Sequence, residues 1–207
     1  MNTHAITGVT AAILIAVLLL VVGATATVIL GSSEEPTEED LDKWLNEALD
    51  DISTYLNIKD IKAKYHSYLG EQYIQQIAIL MKPMFTQTIE LNDMTLQISN
   101  GEDLRILYPS SQLQFINGHS LFHHPLWGDI DENTFGFIVI IDKDYSMIDY
   151  QIMNENTDMI YLIIQLPEDF FFKKGDTLDI SIFPTPGIKR VISVKAPPAL
   201  SSIVSLK

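Results

Sequence analysis

Three hydropathy patterns follow one another along the chain. From Ala5 to Leu30, "AITGVTAAILIAVLLLVVGATATVIL" carries no charge. As a helix it would run about 26 residues and roughly 39 Å, enough to cross a bilayer. A break follows at Gly31. Glycine gives up helical order cheaply, Ser32 and Ser33 prefer backbone bonds outside a helix, and Pro36 lacks the donor a continuing helix needs. A hinge is expected at Ser32, Ser33 and Pro36. Thr37 then caps a second helix, with Glu38, Glu39 and Asp40 at its positive end. Leu41, Trp44, Leu45, Ala48, Leu49 and Ile52 form an amphipathic stripe, opposed by Asp42, Glu47 and Asp50. That helix packs either on its own domain or on neighbours; the pattern leaves both open.

From about Tyr55 the period shortens to two. "KDIKAK" sets Lys59, Ile61 and Ala63 against Asp60, Lys62 and Lys64, and "TLDISIF" sets Leu178, Ile180 and Ile182 against Asp179 and Ser181. Further strand-like segments are "YIQQIAILM", "MTLQIS", "LRILY", "LQFI", "FGFIVIID", "MIYLIIQL" and "KRVISVK". "FGFIVIID" and "MIYLIIQL" are near-continuous apolar runs and read as central strands. Asn100-Gly101, Asn117-Gly118, Lys174-Gly175-Asp176 and Pro186-Gly187 read as turns. The expected fold is α+β: a long N-terminal apolar helix followed by an antiparallel Ig-like β-sandwich. The expected domains are 1–31 (apolar helix), 32–54 (hinge and acidic amphipathic helix) and 55–207 (sandwich).

Two features bear on the role of the apolar helix. Gly8, Ala12 and Ala16 recur every four residues, as do Gly23, Thr27 and Gly31, so small residues stack along one side. Such ridges let helix backbones approach closely, which suits packing against other helices as well as lipid. The start "MNTH" has no Lys or Arg, and the apolar run is too long for an ordinary secretory signal. A plain membrane anchor and a helix-bundling segment both remain.

Composition narrows the partners. The net charge is -14, with 13 Lys+Arg against 27 Asp+Glu. That balance repels nucleic acid and anionic lipid headgroups. There is no cysteine, hence no disulfide and no thiolate metal site. Asn2-Thr3-His4 and Asn133-Thr134-Phe135 both fail as glycosylation sequons.

Metal-ligand residue types gather in "HSLFHHPLWGDIDEN": His119, His123, His124, Asp129, Asp131 and Asn133. Asp129, Asp131 and Asn133 mimic the start of a calcium loop, but Thr134 stands where that loop needs Gly and no Glu closes it. An ordinary surface loop is therefore expected, with a metal site as the sharper alternative. Ser110-Ser111 lacks the glycines of a nucleophile elbow, and no Gly loop cradles phosphate. No enzyme chemistry and no cofactor are expected.

The apolar segment resembles the mature amino terminus of archaellins, the subunits of the archaeal swimming filament, where a Thr-Gly step such as Thr7-Gly8 opens a long helix like that of type IV pilins. "FFKKGDTLDISIFPTPGIKRVISVKAPPALSSIVSLK" is similar to the archaellin carboxyl end, and "LNIKDIKAKYHSYLGEQYIQQIAILMKPMFTQTIELNDMTLQISNG" to its first strands. Thr10 stands where the family has an acidic residue, if the mature chain begins at Ala5; numbering is expected to start at the mature residue. The resemblance implies a homopolymeric extracellular filament, with or without related subunits. It implies a helix held in the membrane before assembly and dealings with the archaellum export and motor machinery. Gly8, Ala12, Ala16, Gly23, Thr27 and Gly31 would line the polymerisation helix. Alternatives are an adhesive type IV-like pilin, or a membrane-anchored envelope-binding accessory protein of the same machine.

Overall fold

The alternating segments form ten strands in a computed structural model that describes residues 56–68, 70–167, 170 and 172–206. The apolar helix, the hinge, the amphipathic helix and the expected domain boundaries at 31 and 54 lie outside the described residues.

In chain order the strands are β1 (Leu56–Tyr68), β2 (Glu71–Pro83), β3 (Ile89–Ser99), β4 (Leu104–Phe115), β5 (Thr134–Ile141), β6 (Ile152–Met153), β7 (Met159–Gln165), β8 (Thr177–Thr185), β9 (Arg190–Lys195) and β10 (Ile203–Ser205). They pair in the order β10-β1-β2-β7-β5-β4-β3-β8-β9, with β6 beside β3. Period two explains the inward set. On β8, Leu178, Ile180 and Ile182 are buried. On β1, Ile61 and Ala63 are buried, while Lys59 drops out of the pattern because a bulge shifts the register between Ile58 and Asp60.

The expectation of two antiparallel Ig-like sheets is corrected in two respects. First, β4 and β5 run parallel; every other pairing is antiparallel. The connection 116–133 is long enough for the crossover that parallel neighbours need. Secondly, the path is continuous, a half-barrel curled around its main core. The join is β4. Leu104 to Leu107 pair with β3, and Tyr108 onward pairs with β5. The change of partner falls between Leu107 and Tyr108, just before Pro109, which has no N–H for a regular ladder, and the register shifts between Pro109 and Leu113. "LRILY" and "LQFI", separate in the sequence pattern, are the two arms of this one strand.

Inward residues from both arms meet in one cluster, including Ile77 and Met81 of β2, Phe135 and Phe137 of β5, Leu162 of β7, Leu96 of β3 and Ile180 of β8. Burying each such side chain is worth about 1.5–3 kcal/mol. The carboxyl end closes the first strand: β10 pairs with β1 at Lys62 to Lys64, and the Tyr65 hydroxyl donates to the Pro197 carbonyl.

Candidate functional site

The histidine- and aspartate-rich stretch is not a ligand cluster but a flap. Asn117 and Gly118 both take positive φ, 41° and 76°, and turn the chain back after β4. Two short 3-10 turns follow, Leu121–His123 and Pro125–Gly128. Phe122, Leu126 and Ile130 descend onto Ala78, Ile138 and Ile163, on the outer face of β2, β5 and β7. This second core explains why β5 and β7 are apolar on both faces. The fit is close at Gly136, where an added Cβ would lie 3.1 Å from Ile130 Cγ2 and 3.2 Å from Leu126 Cδ2.

Several polar side chains of the flap find partners within it or on the strand before it. His124 is buried. Its Nε2 lies 2.9 Å from the Phe115 carbonyl and its Nδ1 3.2 Å from the Leu126 N–H. Donation from Nε2–H to that carbonyl and acceptance at Nδ1 satisfy both nitrogens of a neutral ring. His123 Nδ1 lies 2.8 Å from the Ser120 hydroxyl. Trp127 Nε1–H donates to the Leu121 carbonyl at 2.8 Å, and its ring stacks on Phe122. Asp131 Oδ1 accepts from the Asn133 N–H and the Thr134 hydroxyl, both at 2.9 Å. Those two bonds hold its carboxyl below the usual range.

The acidic side chains that do converge lie at the other end of β5. Ile141 pairs with Met159, so Asp142, just after β5, and Asp158, just before β7, flank one rung of the sheet. Asp144 completes the group; one carboxylate oxygen from each residue lies within 4.8 Å of the others. Between them the chain makes a short helix, Ser146–Tyr150, bounded by Tyr145 and Gln151 at positive φ, 61° and 60°. Backbone N–H groups hold one side of each buried carboxylate. Met147 donates to Asp142 Oδ2 at 3.1 Å; Asn154 and Glu155 donate to Asp158 Oδ2 at 3.0 and 2.8 Å. Asp144 accepts from the Ser146 N–H and from the Asn154 amide at 2.8 Å.

Asp142 Oδ1 and Asp158 Oδ1 are buried without a hydrogen-bond partner. Burial raises both carboxyls above their ordinary range, and contact with Asp144 adds to the rise at Asp142. Asp144 is pushed down to about 2, chiefly by the Asn154 amide. Buried, unpaired carboxylate oxygens are costly. Two of them beside the exposed carboxylate of Asp144, without nitrogen or sulfur ligands, are a donor set for a hard divalent cation such as Ca²⁺. The signal in the sequence is an Asp-x-Asp directly after one apolar strand and an Asp directly before the next. The denser histidine stretch hides it.

The candidate residues Gly8, Ala12, Ala16, Gly23, Thr27 and Gly31, and Ser32, Ser33 and Pro36, lie outside the described residues.

No protein-family model and no curated protein sequence matches the chain. Solved structures do. Archaeal flagellin FlaB1 from Methanocaldococcus jannaschii superposes with a TM-score of 0.65 at 19% identity, covering 73% of this chain and 95% of that chain. The described domain shares the fold of that flagellin. The archaeal flagellum of Methanospirillum hungatei strain JF1 superposes with a TM-score of 0.53 at 13% identity, covering 96% of this chain and 98% of that one. The fold is thus shared without any sequence similarity that a family model detects.

Proposed function

We propose that this chain is a structural subunit of an archaeal flagellum filament and carries out no catalysis. The observation that carries the reading is the fold shared with flagellin FlaB1 across 95% of that chain. The uncharged stretch from Ala5 to Leu30 supports it. Held first in the membrane, the helix leaves lipid and bundles with its neighbours as the filament core. Both surroundings are apolar, so little hydrophobic energy is lost in the exchange. Gly8, Ala12, Ala16, Gly23, Thr27 and Gly31 form the close-packing ridges, and Ser32, Ser33 and Pro36 let the outer domain tilt on that core. The β domain forms the extracellular sheath, and its acidic surface keeps a long polymer soluble. Export and rotation fall to the archaellum machinery, which supplies the ATP hydrolysis.

Electron microscopy of sheared cell surfaces tests this reading. Helical filaments in which mass spectrometry finds this chain as the main subunit, and whose loss abolishes swimming, are expected. A monomer or dimer that stays with the membrane would overturn it. Filaments whose loss leaves swimming intact would turn the reading to an adhesive pilin.

A further inference from the structure

We propose that the flap is a proton-released cover: a proton on His124 unseats the segment from Leu121 to Gly128 and bares the apolar outer face of β2, β5 and β7. The device lies within the β domain and does not depend on the filament reading.

Inward residues alternate along the flap. Phe122, His124 and Leu126 are buried, while His123 and Pro125 between them are exposed. An ionisable side chain thus takes the middle of three anchor positions, and it is only 3% exposed. Its ring has no spare nitrogen. Nε2–H donates to the Phe115 carbonyl, which ties the flap to the end of β4. Nδ1 accepts from the Leu126 N–H, which caps the second 3-10 turn. Both bonds together require the neutral ring. A proton on Nδ1 takes the lone pair that the Leu126 N–H uses and sets two donors against each other. The seated flap would then hold a buried charge and an orphaned donor.

The surroundings do not compensate that charge. His119 stands edge-on to His124, with ring centroids 5.5 Å apart, and on protonation adds a second positive charge. From β1, the Lys64 ammonium reaches the Phe122 carbonyl at 3.5 Å. On the side of β4, the Tyr145 ring meets that of Phe115. Within the flap, His123 is bonded to Ser120, Asp131 to Asn133 and Thr134, and Asp129 closes the second turn. Among the described residues no carboxylate bonds to His124 or His119. The sheet beneath offers Ala78, Ile138 and Ile163.

Release lets the ring reach water and keep its proton. The released form therefore binds more protons than the seated one, and a falling pH favours it. Histidine is the side chain whose ordinary titration falls in the range of roughly pH 5 to 8. The sheet survives the release, because the main core lies on the opposite face of β2, β5 and β7.

Trp127 stacks on Phe122 and reports the seat; with Trp44→Phe it becomes the chain's one indole. In full-length chain of that background, lowering the pH from about 7.5 to about 5 is expected to shift the Trp127 emission. Amide exchange at 121–128, read by mass spectrometry, is expected to speed up about tenfold or more, with unchanged β-sheet circular dichroism. His124→Gln removes the titrating ring, and its emission and exchange are expected to be independent of pH across this range. The slow exchange of the His124 Cε1 proton, followed in the wild-type chain, is expected to turn over at the pH of the Trp127 transition. A flap that stays seated down to about pH 5, or a transition that survives His124→Gln, overturns the proposal. So does a His124 ring that titrates at a different pH from the flap, which decides the matter even where His124→Gln fails to seat.

Discussion

Two loops that leave opposite ends of β5 carry similar residue types and do opposite things. The flap, residues 116–133, holds His119, His123, His124, Asp129, Asp131 and Asn133. Those of its side chains that are drawn into bonds are satisfied within the flap or by the strand beneath it. The connection 142–158 holds fewer ligand-type residues, yet two of its carboxylate oxygens are buried with nothing to bind. The contrast shows that a density of ligand residues does not make a site. What distinguishes one is polar capacity left over after the fold has satisfied itself.

The largest effect should come from the apolar side of the comparison. Phe122→Ala removes the ring that stacks on Trp127 and helps fill the second core. The expected loss is about 3–5 kcal/mol, read by urea unfolding of the β domain. A loss under about 1 kcal/mol would show that the flap merely rests on the sheet.

The acidic corner should respond to cations where the flap does not. Calcium at a hundred times its dissociation constant would raise stability by about 2.7 kcal/mol, seen as a shift in melting temperature. Asp158→Asn should abolish that shift, while Asp129→Asn should leave it unchanged. A shift that survives Asp158→Asn would place the cation elsewhere.

pH provides a second test of the same oxygens. Asp142 and Asp158 have folded values above the ordinary 3.8. In that window the folded chain keeps protons that the unfolded chain has released, so stability falls as pH rises from about 4 through the raised values. Cation-free protein should show that fall in its melting temperature, and saturating calcium should remove it. A melting temperature that rises with pH across this range without calcium would refute buried, unpaired carboxyls.

Smaller effects separate the two polar anchors of the flap. His124→Leu keeps the volume but leaves the Phe115 carbonyl and Leu126 N–H without their partner, at a cost of about 1–3 kcal/mol. Asp131→Ala removes two exposed bonds and should cost under about 1 kcal/mol. Equal losses at the two positions would mean that burial does not grade these bonds.

The resemblance of the two chain ends to archaellins rested on residue patterns too diffuse for a family model to match. Superposition finds the fold at 19% identity because register and burial constrain a half-barrel more than they constrain its side chains.

Local chemistry was enough for the elements themselves. Alternation at Leu178, Ile180 and Ile182 set a strand and its inner face, and Asn117-Gly118 set a turn, because both signals depend only on neighbours in the chain. The double-sided apolarity of "FGFIVIID" and "MIYLIIQL" even announced two covered faces, though not what covers them. Only the tertiary structure decided that the cover is the flap, since Phe122 and Ala78 are remote in sequence and meet only once β2 lies beside β7. It alone turned β4 from one arm to the other between Leu107 and Tyr108 and ran it parallel to β5, for either direction of that pairing keeps the same period of two. It alone made a site of Asp142, Asp144 and Asp158. Their burial and spacing come from one rung, Ile141 with Met159, and a rung is a property of two strands and not of either.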